Sequence, residues 1–261
     1  MNDAAAGFPD LRPEELLGVL EEAAEAVQTA LEELSDWGPA GTREGQYRTD
    51  LAADAAVVDL LARCGFGVLS EESGLTGSGA PVLVVVDPID GSTNASRGIP
   101  WFATSLCAVD VDGPVAALVR NLATGDTYRA IRGGGASRNG EPIRPSGGEQ
   151  LKDSLIGLSG YPPRYLGWRQ FRALGAAALD LCAVADGTLD GYLDCSWDAH
   201  GVWDYLAGML VCREAGAVVV DAYERDLCVL DPHVRRTPVA GATRELTEAL
   251  VAARSRFPRP L

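Results

Sequence analysis

Lysine is nearly missing from this chain: Lys152 is the only one in 261 residues. A nucleotide loop ending in Gly-Lys-Ser or Gly-Lys-Thr is therefore absent, and ATP-driven chemistry of that kind is set aside. Basic charge is scarce as a whole, with 22 basic residues against 37 acidic ones and a net charge of −15. No long-range field exists to attract DNA, RNA or an anionic membrane, so neither a nucleic acid nor a membrane is expected as a partner. No window approaches the roughly 18 uninterrupted apolar residues of a membrane span. The start, Met1-Asn2-Asp3 and then an acidic stretch, lacks the basic flank and apolar run of a secretory signal, so a cytoplasmic location is expected. The six cysteines form no C-x-x-C pair and have no histidine at zinc-finger spacing, which reads as reduced thiols. Cys107 and Cys182 stand in apolar surroundings, as small buried hydrophobes do. None of the six is followed six positions later by arginine, which excludes a cysteine phosphatase.

What is present is apolar enough to fold. A hydrophobic content of 47% supports a sizeable core, as one large domain or two closely packed halves. Leu16, Leu20, Ala23, Val27, Leu31 and Leu34 recur at helical spacing between Pro13 and about Trp37. A Gly-bearing break from Gly38 to Arg48, a candidate flap, leads to a second helical pattern from Asp50 to Cys64. Gly67 to Ser70 and Pro81 to Val86 read as buried strands that end in carboxylates. Phe102 to Val111, Pro114 to Val119 and Thr127 to Ile131 suggest an antiparallel meander. The stretch Arg144 to Glu149 is the expected boundary between an N-terminal half, 1–145, and a C-terminal half, 146–261. Beyond it, strands at Leu155 to Leu158, Gly191 to Leu193 and Ala217 to Val220 alternate with helices at Phe171 to Ala185 and Val202 to Glu214.

The chemistry concentrates where the second strand ends. Asp87 and Asp90 flank Pro88 and Ile89 directly before Gly91-Ser92-Thr93. A strand end fixes two carboxylates, and the following residues open a helix whose free N–H groups and hydroxyls suit phosphate oxygens. Glu71, Asp87, Asp90 and Asp204 supply the oxygens that Mg²⁺ prefers, and two such ions about 3.5–4 Å apart are suited to in-line attack on phosphorus by water. The bland alternatives are a turn with helix capping at Asp87 and Asp90, and a helix cap at Asp204. A phosphatase with an aspartyl nucleophile would need Asp-x-Asp before Thr, whereas these acids are three positions apart.

Three blocks carry a resemblance: Ser70-Glu71-Glu72-Ser73, Asp87-Pro88-Ile89-Asp90-Gly91-Ser92-Thr93-Asn94, and Trp203-Asp204-Tyr205-Leu206-Ala207-Gly208 continuing to Glu214-Ala215-Gly216. In order and spacing the chain resembles the inositol monophosphatase family over roughly residues 15 to 250. The resemblance implies a layered αβαβα sandwich of the inositol monophosphatase and sugar phosphatase type, a homodimer, and Mg²⁺-dependent hydrolysis of a small phosphorylated metabolite with two or three ions per site. It implies metal binding by Glu71, Asp87, the Ile89 carbonyl, Asp90 and Asp204, with Glu71 and Ser92 orienting the attacking water. Ser92 stands where the family often has threonine, so the hydroxyl is kept. Asp54 falls near the nucleophilic side, or else on an exposed helix face, and Arg43 lies on the loop where the family commonly has lysine, or else is a solvated charge. Gly91, Ser92 and Thr93 are expected at the phosphate, and Gly175-Ala176-Ala177 at the substrate or in close helix packing. The chain departs from the family between Leu193 and His200, where a few residues are inserted, so Asp194 or Asp198 is expected to read the substrate. His200 itself reads as a surface residue. Ala95 is a second departure, replacing a bulky aromatic. Inositol monophosphate or a related polyol or sugar phosphate is the expected substrate. The alternatives are a histidinol-phosphate or nucleotide 3′-phosphate, and a non-catalytic scaffold of the same descent.

Overall fold

The computed structural model describes residues 11–42 and 45–257. Its outermost layer is a helix pair, α1 (Pro13–Glu33) and α2 (Arg48–Arg63). Along α1 the buried residues Leu16, Leu20, Ala23, Val27 and Leu31 form one stripe, as the apolar spacing predicts. The helix stops at Glu33 and not near Trp37. Asp36 Oδ1 accepts the Gly38 N–H at 2.8 Å, and Trp37 turns inward to pack edge-on against Phe102. The Gly38 to Arg48 break folds back on itself, with the Ala40 N–H donating to the Gln46 carbonyl and the Arg48 N–H to the Gly38 carbonyl.

Beneath this pair lies the first sheet, in the order β2 (Gly74–Thr76), β1 (Gly67–Ser70), β3 (Leu83–Asp90), β4 (Ala103–Asp110), β5 (Gly113–Asn121), β6 (Thr127–Ile131), β7 (Gly135–Arg138) and β8 (Glu141–Pro142). β1 and β3 run parallel, and the remaining neighbours are antiparallel. Alternation of side chains along a strand divides two cores. Val84, Val86, Leu106 and Leu118 pack with α1 and α2, whereas Val85, Cys107, Ala117 and Val119 face the other way.

That inner face is covered by α4 (Ala177–Ala185) and α5 (Val202–Ala215), both almost wholly buried. Helices apolar all round belong between two sheets. The second sheet has the order β10 (Gln170–Arg172), β9 (Leu155–Ser159), β11 (Gly191–Asp194), β13 (Pro238–Gly241) and β12 (Val218–Asp221). Its far face is closed by α6 (Arg244–Arg254) through Leu246 and Leu250. The result is the expected αβαβα sandwich. The first sheet ends at Pro142 and the second begins at Leu155, but α4 and α5 join both sheets into one inner core.

A second helix also differs from expectation. The segment read as a helix from Phe171 begins only at Ala177, because Gly175 adopts φ +89° and Phe171 is half exposed on the short edge strand β10. β13 and α6 lie outside the expected elements, although Thr243 at the N-cap and Leu246, Leu250 and Ala253 at helical spacing mark α6. Among the described residues no helix is long and apolar enough to cross a membrane.

The α4–α5 contact depends on a missing side chain. A Cβ at Gly208 would stand 2.8 Å from Leu181 Cβ and 3.0 Å from the Ala178 carbonyl oxygen. Gly208→Ala is expected to lower stability by about 1–3 kcal/mol in denaturant unfolding. Gly18→Ala on α1, where a Cβ meets nothing within 4 Å, is expected to raise it by about 0.5–1 kcal/mol.

Candidate active site

Strand register builds the first half of the site. In the parallel pair β1 and β3, Ser70 stands opposite Val86, so the next residues, Glu71 and Asp87, emerge level with each other. The Glu71 N–H donates to the Val86 carbonyl at 3.1 Å and holds that register one step further. β3 continues to Asp90, and Gly91 then turns the chain at φ +87° into the short helix α3 (Ser92–Arg97). A Cβ at Gly91 would come within 3.1 Å of Ala176 Cβ, the Gly175 carbonyl and the Trp101 carbonyl, so only glycine fits. The Asn94 amide donates to the Trp101 and Leu174 carbonyls, both at 2.7 Å, and ties this turn to the segment before α4.

The second half comes from α5. Ser105 Oγ on β4 donates to the Trp203 carbonyl at 3.3 Å, which seats the first turn of α5 over the end of β3. Carboxylate oxygens of Glu71, Asp87 and Asp204 consequently lie within 4.8 Å of one another. Residues from three separate segments meet at one point.

The electrostatics of that point are unfavourable without a counter-charge. Asp87 is 1% exposed, and its Oδ1 has no hydrogen-bond partner among the described residues. Burial first, and then the charges of Glu71, Asp90, Asp204 and Asp50, push its carboxyl well above the usual range. Asp90 is raised by burial and by Asp204, partly opposed by the Ala178 N–H, which donates to its Oδ2 at 2.6 Å near the start of α4. An orphaned buried oxygen among clustered carboxylates fits a hard divalent cation, which takes carboxylate oxygens and completes its shell with water. Glu71, Asp87 and Asp204 are the residues that would hold one, with Asp90 and the Ile89 carbonyl beside them.

These groups border a cavity of about 480 Å³ whose wall includes Ser70, Glu71, Asp87, Ile89, Ser92 and Trp203. Asp50 also lines it, although the sequence pointed to Asp54. Asp54 is 8% exposed, so the exposed helix face does not hold; it sits one turn further along α2, accepting hydrogen bonds from Ser70 Oγ at 2.5 Å and Ser73 Oγ at 3.2 Å. Asp50 shares the face of Asp54 at helical spacing, and that was the available signal. Arg43 lies outside the described residues. Thr93 is exposed at the start of α3, Gly175 and Ala176 pack beneath the Gly91 turn, and Ala177 is buried at the start of α4.

The two acids of the inserted segment separate. Asp198 carries a 59% exposed side chain, pairs with Arg225 at 2.8 Å and does not border the cavity. Asp194 is fully buried at the end of β11, where its Oδ1 accepts the Ser196 N–H at 2.8 Å and lies 3.8 Å from His200 Nε2. His200 is no surface residue: its side chain is 13% exposed and contacts Asp204. Burial works against its charge, but the hydrogen bond and charge of Asp204, with Asp194 and Asp90, prevail and raise it to about 9. Arg235 is the one cation on the described cavity wall and has no sequence signal of its own.

A model of the inositol monophosphatase family matches residues 14–258. The chain is 39% identical over 176 residues to a fructose-1,6-bisphosphatase/inositol-1-monophosphatase of Archaeoglobus fulgidus, covering 66% of this chain and 68% of that one. It is 31% identical over 236 residues to the Nus factor SuhB of Escherichia coli, covering 80% and 86%. Among solved structures it is similar to a Pyrococcus horikoshii protein described as having similarities to inositol-1 monophosphatase, with a TM-score of 0.83, 26% identity, and coverage of 93% and 99%.

Because the Asp87 carboxyl is raised by the fold, its ionised form destabilises the metal-free protein as pH rises through that raised value, and the penalty disappears on acidification. Asp87→Asn is therefore expected to raise the metal-free thermal midpoint at pH 7.5, with the difference shrinking at lower pH. Mg²⁺ at about 100 times its dissociation constant is expected to stabilise the wild type by about 2.7 kcal/mol and to leave the variant unmoved. A variant less stable than wild type without metal, or an undiminished Mg²⁺ response, would contradict the electrostatic reading.

Proposed function

The chain belongs to the inositol monophosphatase family, and from that premise we propose that it hydrolyses a small polyol or sugar phosphate monoester with Mg²⁺, two or three ions per site, as a homodimer. The observation that carries this reading is the meeting of Glu71, Asp87 and Asp204 beside a cavity in which Asp87 Oδ1 has no hydrogen-bond partner among the described residues.

When bound, Mg²⁺ supplies a Lewis acid for the phosphoryl oxygens and lowers the pKa of water. The protein's own groups provide order. Glu71 and Ser92 border the cavity, where a carboxylate acceptor and a hydroxyl hold the attacking water in line. Gly91, Ser92 and Thr93 present backbone N–H groups and hydroxyls to the phosphate, on a turn fixed by Gly175 and Ala176. Asp90, drawn to the N–H of Ala178, keeps the end of β3 from swinging into the cavity. Asp50, in the first turn of α2, is the acid that we assign to the nucleophilic side in preference to Asp54. No side chain needs to become phosphorylated.

Arg235 favours a narrower class of substrate. Its Nη1 donates to the Pro232 and Val234 carbonyls at 2.7 and 3.1 Å, and the guanidinium stacks 5.1 Å from the Trp203 ring. No carboxylate pairs with it among the described residues, although several share its cavity. A guanidinium held along one edge and bare along the other suits a second anionic group on the substrate, as in a bisphosphate or a nucleotide.

A phosphate-release screen over inositol, sugar, histidinol and nucleotide phosphates tests the reading. Release is expected to require Mg²⁺, and Asp90→Asn to lower it by roughly 10–100-fold while circular dichroism is unchanged, the scale on which a group that orients a metal site acts. Equal turnover in excess chelator would refute the mechanism. Arg235→Gln is expected to cost roughly 10–100-fold in kcat/KM on substrates with a second anionic group, the worth of one charged hydrogen bond, and little on singly charged ones. Equal losses on both kinds would refute the second-anion subsite alone.

A further inference from the structure

His200 closes the segment between β11 and α5 that leads to Asp204, and the function above gives it no role. Its ring is pinned on both edges. Nδ1 lies 3.2 Å from Asp204 Oδ2, and Nε2 lies 3.1 Å from Ser159 Oγ and 3.2 Å from the Tyr192 hydroxyl. The backbone is fixed as well, since the His200 carbonyl accepts the Arg236 N–H at 2.9 Å. Behind the ring, Tyr192 and Asp194 are fully buried, so the imidazole has no room to swing aside.

The consequence falls on Asp204. Its Oδ2 receives two donors, the Gly201 N–H at 2.7 Å and His200 Nδ1 at 3.2 Å. A carboxylate is otherwise loosely held about its last torsion, whose wells are broad. With Oδ2 engaged twice, that rotation is arrested and Oδ1 is left for a cation. The ring must carry a proton on Nδ1 to donate to a carboxylate, and Nε2 meets the Ser159 and Tyr192 hydroxyls, which can accept from it or donate to it.

The turn that precedes His200 is itself clamped. Arg254, fully buried at the end of α6, donates from Nε to the Asp194 carbonyl at 2.8 Å and from Nη2 to the Ser196 carbonyl. Its guanidinium stacks 4.5 Å from the Trp197 ring and 4.6 Å from the Phe257 ring. The inserted segment is thus anchored to the outermost helix, and His200 transmits that anchorage to Asp204.

We propose that His200 is a positioning residue that fixes the Asp204 carboxylate in a one-oxygen presentation to the divalent cation. The inference rests on the reading of Glu71, Asp87 and Asp204 as a cation site. Groups that orient a metal-binding side chain typically contribute 10–100-fold to metal affinity. The contact is made through Nδ1, and the amide nitrogen of asparagine occupies nearly the same position, whereas glutamine reaches the position of Nε2.

The test is calorimetric titration of the full chain with Mn²⁺, without substrate. His200→Ala and His200→Gln are expected to weaken binding by roughly 10–100-fold, and His200→Asn to recover most of the loss. Phosphatase activity at limiting metal is expected to follow the same order and to converge at saturating metal. A ring that merely fills space or holds Ser159 and Tyr192 predicts the reverse, with glutamine the better substitute. That order, or wild-type affinity in His200→Ala, would overturn the proposal while leaving the cation site standing. Failure of the wild type to bind Mn²⁺ would overturn both. Nitrogen-15 NMR of the metal-free wild type needs no variant: a proton on His200 Nδ1 is expected, and a bare Nδ1 would refute the proposal.

Discussion

Carboxylates that repel one another are held together by the fold at the wall of a cavity. Asp87 and Asp90 are buried, and Glu71 and Asp204 close over them. Such a cluster would be expelled from most interiors. Here the scaffold offsets part of the repulsion group by group: Asp90 takes the N–H of Ala178, and Asp204 takes the N–H of Gly201 and the imidazole of His200. Asp87 Oδ1 has no such compensation among the described residues, so the deficit is concentrated at one atom. A cation there converts the least favourable part of the fold into a binding site.

The layered architecture makes the cluster possible. Two parallel strands ending level deliver Glu71 and Asp87, and an apolar helix sandwiched between sheets delivers Asp204. Because α4 and α5 are buried on all sides, neither can shift without disturbing both sheets. Rigidity of that kind is what a site for oriented water and phosphate requires. On the proposed reading the net negative charge is no obstacle, because an anionic substrate would be drawn to the site by cations held there and by Arg235.

Where local sequence determines geometry, the site was legible. Asp87 to Asn94 announces a strand end, a glycine turn and a helix start, and all three are found. The αβαβα order is what the resemblance implies; apolar spacing marks the buried stripe of α1, whereas β3 is apolar on both faces and does not say which layer lies on which side. What depends on neighbours distant in the chain was not legible. Asp50 and Asp54 share a helix face, and only the position of Ser70 decides which one reaches the cavity. Asp194 and Asp198 differ by one turn of an inserted segment, and Arg225 draws Asp198 outward. Histidine 200 looked exposed because its partners Ser159, Tyr192 and Asp204 come from three other stretches. The short strand at Phe171 reads as helix in the sequence because its apolar residues fit either period, and Gly175, at φ +89°, separates it from α4.

The most direct test of the central claim is the anomalous scattering of Mn²⁺ in crystals of the wild-type chain grown with that ion. The account predicts a peak bonded to oxygens of Glu71, Asp87 and Asp204, with Asp87 Oδ1 among the ligands. A crystal saturated with Mn²⁺ in which those three carboxylates bind no ion, or in which Asp87 Oδ1 still faces only protein, would contradict it.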